Sequence, residues 1–355
     1  MSKKKHEEDI TLESQIGELG KLDNRVVNPN ALTSEEQASL DAFLGDSKKS
    51  LKKQSTMDIQ VPIKDGWIPV DREEMGERSQ FYPEDWKFYI KAASVTAIKN
   101  WSAVDEDSLT AINQVLTEIL KSGVKITDGN GATVGWSKVN SWDRFWFILK
   151  VREVTFVQGE SKVEFNDNCP SCDEEITFEL QPQYLHFEMP DSQVIEDYWN
   201  PQEQAWIIDP EEFNIPLDKL PVEFSKEGII DLYCPTVGMD NLIIEYAQAK
   251  AQAKQKIDET FIRFLNWMLP YKRTPKDLKG FMKHVDTIYD RYKKWDTEFF
   301  EFMVGVIKNI SVNPQETLKQ TCPCCGEEAV STVHFPNGIS TLFRVETSIK
   351  KFGSK

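Results

Sequence analysis

The sequence predicts an α+β protein in which a metal-binding ribbon is assembled from two distant turns, with a long helical excursion between them. Three observations carry this. Cys169-Pro-Ser-Cys172-Asp-Glu-Glu and Cys322-Pro-Cys-Cys325-Gly-Glu-Glu repeat one short phrase about 150 residues apart. Strand-like sequence precedes the first turn and follows both. Between them, from Leu242 to Val306, apolar residues recur at helical spacing.

Residues 1–57 read as an N-terminal arm, rich in Lys, Glu, Ser and Asn and poor in aromatics. Leu12, Ile16, Leu19 and Leu22 fall at helical spacing, and a second helix is predicted from Ser34 to Gln54 around Leu40, Phe43, Leu44 and Leu51. Isolated amphipathic pieces of this kind gain order by lying on another surface.

Residues 58–160 read as a mixed α+β domain. Ile59, Val61, Ile63 and Trp67 to Val70 suggest extended chain, Tyr82-Pro83 a turn, and Trp86 to Ile90 a strand. A helix is predicted from Asp107 to Lys121, with Leu109, Ile112, Leu116, Ile119 and Leu120 on its apolar face. Asp105 or Asp107 serves as its cap and Gly123 as its terminator. A second helix starts near Ser141 and carries Phe145, Trp146, Ile148 and Leu149. It feeds a strand from Val154 to Phe165 that runs into the first cysteine turn.

The two turns, in residues 161–186 and 318–345, supply the candidate ligands Cys169, Cys172, Cys322 and Cys325. A Cys-x-x-Cys turn aims two thiolates at one ion, and two such turns make a four-thiolate zinc site. Gly326 suits the left-handed conformation that such a turn requires, and Asp173 at the matching place is a tolerable substitute. Free buried cysteines, a disulfide framework and a redox pair are the alternatives. A secreted disulfide scaffold is short, cysteine-dense and preceded by a signal peptide, whereas this chain has 355 residues, six cysteines and a charged start from Met1 to Asp9. No apolar run approaches the roughly 20 residues that span a bilayer. The expectation is a soluble protein of a reducing compartment, with no membrane partner.

Four thiolates close a tetrahedral shell and leave no position for a reacting water, so one Zn2+ per chain is expected as a structural staple. Closing a loop of about 150 residues costs on the order of 5 kcal/mol, while structural zinc in small peptides binds with about 10–16 kcal/mol. Cys324 is expected to point away from the ion, and Cys234 to be a small apolar residue at a strand end. His186 and His334 are expected at surface positions of the ribbon.

Residues 187–238 form an acidic, proline-punctuated region with short strands at Trp206 to Ile208 and Val222 to Leu232. Its carboxylates, among them Glu196, Asp197, Asp209, Glu211 and Glu212, read as solvated loops, since no histidine, nucleophile or phosphate loop accompanies them. Residues 239–312 predict an antiparallel hairpin of two helices of about 30 residues. The first runs from Leu242 to Met268, with one extra step in its stripe near Ala253, and Pro270 ends it. Thr274, Pro275 and Asp277 cap the second, whose seam includes Tyr292, Trp295, Phe299 and Phe302, expected as internal packing. An antiparallel hairpin brings Cys322 back beside Cys172. Residues 346–355 are a tail.

The order of several segments carries a resemblance. Phe81-Tyr82-Pro83, the Trp86 to Ile90 strand, Ile98-Lys-Asn-Trp-Ser102, the Leu109 to Lys121 helix ending in Gly123-Val-Lys-Ile126, the Asp143 to Arg152 helix and Cys169-Pro-Ser-Cys172 follow one another. This succession, over roughly residues 60 to 180, resembles a baseplate protein family of contractile-tailed bacteriophages, whose members are described as baseplate hub subunits or hub-assembly proteins. The resemblance implies a structural or assembly protein of the virion, without enzymatic activity or small-molecule substrate, made in the host cytoplasm and partnered by other baseplate and tail proteins. The long arm and the long segment between the turns depart from a minimal member.

A zinc-ribbon nucleic-acid or transcription-associated protein is the alternative. The net charge of −16 argues against it, because phosphate contacts need clustered Lys and Arg. The basic stretches Lys48 to Lys53, Lys250 to Lys256 and Lys272 to Lys283 read as solvated helix faces.

Overall fold

The computed structural model describes residues 65–103, 108–156, 163–216, 220–221, 228–315, 317–333 and 342–343. The predicted arm, the extended chain at Ile59 to Ile63, the basic stretch Lys48 to Lys53, His334 and the tail lie outside them. The described chain is mixed α and β, as the sequence predicts.

Strand β1 (Trp67–Val70) pairs antiparallel with β2 (Lys87–Lys91). Between them a 3-10 segment, Arg72–Phe81, starts on a capping box made by Asp71 and Glu74 and kinks at Gly76, whose φ is 58°. Helix α1 (Val95–Trp101) and helix α2 (Leu109–Gly123) lead to β3 (Val124–Thr127), which completes the sheet in the order β1-β2-β3. The cap of α2 is Ser108, whose hydroxyl accepts from the Ala111 N–H, rather than either aspartate. Gly123 does not terminate α2 by a left-handed turn. It is glycine because a Cβ there would lie 2.7 Å from a Val151 methyl, so its role is close approach of two helices.

A 3-10 turn at Trp136–Lys138 precedes α3 (Arg144–Thr155), in which Trp146 to Arg152 are buried without interruption. A helix buried all round is a core element, and Lys150 is accommodated by ion pairs to Glu74 at 2.7 Å and Glu153 at 2.6 Å. The helix runs through Val154 to Thr155, so the strand predicted from Val154 begins later, at Val163. Two hairpins carry the cysteine turns: β4 (Val163–Asn168) with β5 (Glu175–Leu180), and, far along the chain, Thr317–Thr321 with Glu328–Thr332.

After β5 come β6 (Phe187–Glu188), helix α4 (Ser192–Tyr198), and a three-stranded sheet of β7 (Trp199–Asn200), β8 (Ala205–Ile208) and β9 (Ile230–Tyr233). The strand expected from Val222 is therefore described only at its far end. Four helices follow: α5 (Val237–Gln252), α6 (Glu259–Met268), α7 (Leu278–Tyr292) and α8 (Thr297–Ile310). The predicted two-helix hairpin is thus divided at two places. Lys254 takes φ 55° and Asp258 caps a new helix, at the extra step in the apolar stripe; Asp296 caps another by accepting from the Phe299 N–H at 2.8 Å. Asp277, not Thr274, caps α7; the Thr274 hydroxyl donates instead to the Pro270 carbonyl.

The excursion closes on itself through β10 (Asn313–Pro314), which pairs with β6, and through the Gln315 N–H donating to the His186 carbonyl at 2.8 Å. The chain then enters β11 (Thr317–Thr321) and β12 (Glu328–Thr332). One apolar core joins the first sheet, α2 and α3 to both hairpins, through Phe165, Phe178, Leu318 and Ala329. A second gathers the β7-β8-β9 sheet, α6 and α8, and contains Phe299, with Tyr292, Trp295 and Phe302 packed against it, so the aromatic seam is internal. A third lies among α5, α6 and α7. Among the described residues no helix is long and apolar enough to cross a membrane.

Adjacent residues feed the first two cores. Phe81 packs edge-on to Trp142 and Trp199, with centroids 5.8 and 5.2 Å away, while Tyr82 packs on Phe88 at 5.0 Å. The Tyr82 hydroxyl donates to Asp143 at 2.9 Å and accepts from the Asn140 N–H, and Arg78 pairs with the other Asp143 oxygen. The Arg78 guanidinium lies 3.6 Å from the Phe187 ring centroid. Burial pushes the Asp143 carboxyl from 3.8 up to about 6 against the pull of Arg78 and of the Tyr82 and Arg78 hydrogen bonds.

Removing Asp143 strands a buried guanidinium, so Asp143→Ala should cost about 3–5 kcal/mol in chemical denaturation, and Tyr82→Phe about 1 kcal/mol. The folded state binds the Asp143 proton more tightly than the unfolded chain does. This group's contribution to stability therefore falls as pH rises from about 4 to about 6 and is level above. Denaturation at pH 4 and 7 should show that difference shrink in Asp143→Asn.

Candidate metal centre

Each cysteine turn is built by two backbone hydrogen bonds. In the first, the Cys169 N–H donates to the Glu174 carbonyl at 2.8 Å and the Asp173 N–H to the Cys169 carbonyl at 2.9 Å. In the second, Cys322 and Glu327, then Gly326 and Cys322, repeat the same two bonds at 2.8 and 2.9 Å. Both turns need a left-handed residue after the second cysteine. Gly326 has φ 77° and Asp173 φ 61°, the substitution the sequence suggested. The ladders flanking the turns also match, since Asn168 faces Glu175 and Thr321 faces Glu328. Burial alternates alike, with Phe165 and Leu318, Ile176 and Ala329, and Phe178 and Ser331 all directed inward.

Two copies of one turn meet head to head. The four Sγ atoms of Cys169, Cys172, Cys322 and Cys325 all lie within 4.8 Å of one another. Cys169 stands 3.7 Å from Cys325, and Cys172 3.6 Å from Cys322. Sulfurs at the corners of a tetrahedron with metal–sulfur distances of about 2.3 Å are about 3.8 Å apart. These separations therefore match a four-coordinate thiolate shell rather than a pair of disulfides, which require about 2.05 Å. Cys169 and Cys322 are buried, while Cys172 and Cys325 sit at the surface.

Backbone dipoles are aimed at the sulfurs. The Ser171 N–H, with the Cys172 N–H, donates to Cys169 and pulls its thiol down to about 7. The Glu174 N–H donates to Cys172, but desolvation and the neighbouring sulfurs of Cys322, Cys325 and Cys169 push that thiol up. The Glu327 N–H does the same for Cys325, whose thiol is also raised. One thiol that ionises readily, Cys169, beside two that resist, Cys172 and Cys325, is what crowding of negative sulfurs produces. The donor set and spacing thus fit a metal ion held by Cys169, Cys172, Cys322 and Cys325. When bound, such an ion would supply charge neutralisation and a cross-link.

The remaining candidates separate from the cluster. Cys324 is exposed and outside the group of converging sulfurs. His186 is exposed and offers its backbone carbonyl to Gln315. Cys234 follows β9 directly, beside the second core. Lys272 and Arg273 do not sit on a helix face as expected; they form a 3-10 turn with Tyr271 beside Lys138. The compact signal Pro270-Tyr-Lys-Arg-Thr-Pro275, two cations beside an aromatic between prolines, marks that turn in the sequence.

The chain matches no family model, no curated protein and no solved structure.

Cys169→Ser or Cys325→Ser should abolish stoichiometric metal in elemental analysis and lower stability on the order of 5 kcal/mol, the loop-closure cost of the excursion. Cys324→Ser should leave both unchanged. Because ligands must lose protons, metal retention should weaken as pH falls, which a chelator competition at pH 6 and 8 measures.

Proposed function

We propose that this chain is a non-enzymatic structural or assembly component of a contractile-tail baseplate, at its hub, with one structural Zn2+ holding the ribbon formed by its two cysteine hairpins. The observation that carries the structural role is the convergence of four thiolates from turns 150 residues apart. All four positions of a tetrahedral shell are taken by protein sulfur, so the ion clamps rather than catalyses. Zinc is the preferred ion because a closed tetrahedral set of soft sulfur ligands is its characteristic structural environment.

The baseplate reading is supported by the ordered succession from Phe81 to Cys172. Several of its segments are packing elements of this fold. Phe81 and Tyr82 reach into two cores, and the Arg144–Thr155 helix is buried along its middle. A rigid subunit of this kind presents surfaces to other tail and baseplate proteins, and its place is the virion tail, assembled in the host cytoplasm. The net charge of −16 disfavours the zinc-ribbon nucleic-acid reading.

Co-expressed with the tail and baseplate proteins of the same genome, the tagged chain should enter a baseplate or a precursor that sediments well above the monomer, and Cys169→Ser should reduce its incorporation. Absence of the chain from both baseplates and precursors overturns the proposal. A salt-dependent shift of a DNA or RNA probe would favour the nucleic-acid reading instead.

A further inference from the structure

A cavity of about 480 Å³ opens where three segments meet: the turn Trp136–Lys138, the β8–β9 pair, and the turn Tyr271–Arg273. That is the size of small-ligand sites, which run from about 300 to 1,000 Å³. Lys138, Lys272 and Arg273 line it, and the charge of Lys276 acts on Lys138 from nearby. Among the described residues, none of these four cations forms an ion pair with a carboxylate. Two carboxylates also line the space, Glu203 and Asp231, and burial with the charge of Asp231 raises the Tyr233 hydroxyl. In a chain of net charge −16, three cations lining one cavity, with Lys276 acting on one of them, run against the mean field.

The cations are held in place. Tyr271 carries Lys276 at 3.4 Å and Lys138 at 4.9 Å from its ring centroid, and its carbonyl accepts from Lys276. The ring is seated on Gly238, where a Cβ would lie 2.6 Å from Tyr271 Cε2, so the glycine is what admits it. Burial, with the charges of Lys276 and Lys272, pushes the Lys138 ammonium down to about 8, the strain an incoming anion relieves.

One neutral donor adds to this. Asn140 is 3% exposed and lines the same cavity, and its Nδ2 has no hydrogen-bond partner. Its backbone is fixed, since its N–H donates to Tyr82 and it bridges Thr236. A buried, unpaired amide donor is costly unless an acceptor arrives.

We propose that this cavity binds a small oxyanion ligand, a phosphate- or carboxylate-bearing molecule, through Lys138, Lys272 and Arg273 with the Asn140 amide as neutral donor. It is separate from the cysteine cluster and does not depend on the metal or on the baseplate reading.

Calorimetric titration of the full chain with inorganic phosphate, pyrophosphate and citrate at pH 7 and low salt tests it. One saturable site is expected for at least one of the three. A preference for the phosphates identifies a phosphorylated ligand and a preference for citrate a carboxylate one; either supports the site. Lys138→Met, which keeps the stem beside Tyr271, should weaken binding at least tenfold. Lys283→Ala, on α7 away from the cavity, should leave it unchanged. If Lys138→Met does not fold, the exposed Arg273→Ala supplies the same reading. Failure of all three anions to saturate, or equal weakening by Lys283→Ala, overturns the proposal.

Discussion

Everything in this architecture is subordinate to one closure: two pairs of sulfurs, separated by 150 residues, must arrive at a single point. Bringing such distant segments together is entropically expensive, and the chain meets the cost in several layers. The β6–β10 pairing joins the two ends of the excursion just inside the cysteine hairpins. The first core then receives both hairpins on the same apolar mass as α2 and α3. The sulfur cluster therefore sits at a junction already aligned by backbone pairing and burial. A clamp at such a place fixes register rather than creating the fold alone.

A second constraint joins the excursion to the sheet that precedes it. Phe81 and Tyr82 are neighbours in the chain yet belong to different cores, and Arg78, Asp143 and Phe187 surround them. Burying a carboxylate and a guanidinium is rarely favourable in itself. Its effect here is directional, since each partner satisfies the other only when the 3-10 segment, the start of α3 and β6 are in place together. Polar specificity at this node and apolar packing on either side have complementary roles.

Much of this was legible in the sequence, and the reasons for the exceptions are local. Paired Cys-Pro-x-Cys phrases, Gly326, and even Asp173 as its substitute were readable because a tight turn leaves few residue choices. The helical stripes are readable too, but they run on across two breaks in the helices. Asp258 and Asp296 each precede an acidic first turn, a capping signal that lies inside a continuous apolar periodicity. The helix does end at Gly123, but the reason for the glycine is hidden in the sequence: a glycine demanded by a neighbour's side chain looks the same as one demanded by a positive φ. Of the cations around Tyr271, Lys272, Arg273 and Lys276 are visible as a local cluster, whereas Lys138 is beyond reach, because it comes from a segment more than a hundred residues earlier.

The likeness of the two cysteine turns has a consequence in time. A ribosome adding about 5–20 residues per second completes the first turn roughly 8–30 seconds before the second, a delay set by the 150 residues between them. During that interval Cys169 and Cys172 have no partner sulfurs from their own chain. Because the halves are alike in bonding and register, the second turn meets the first as a copy of itself. The length of the excursion thus sets the time for which the first pair of sulfurs waits for the second.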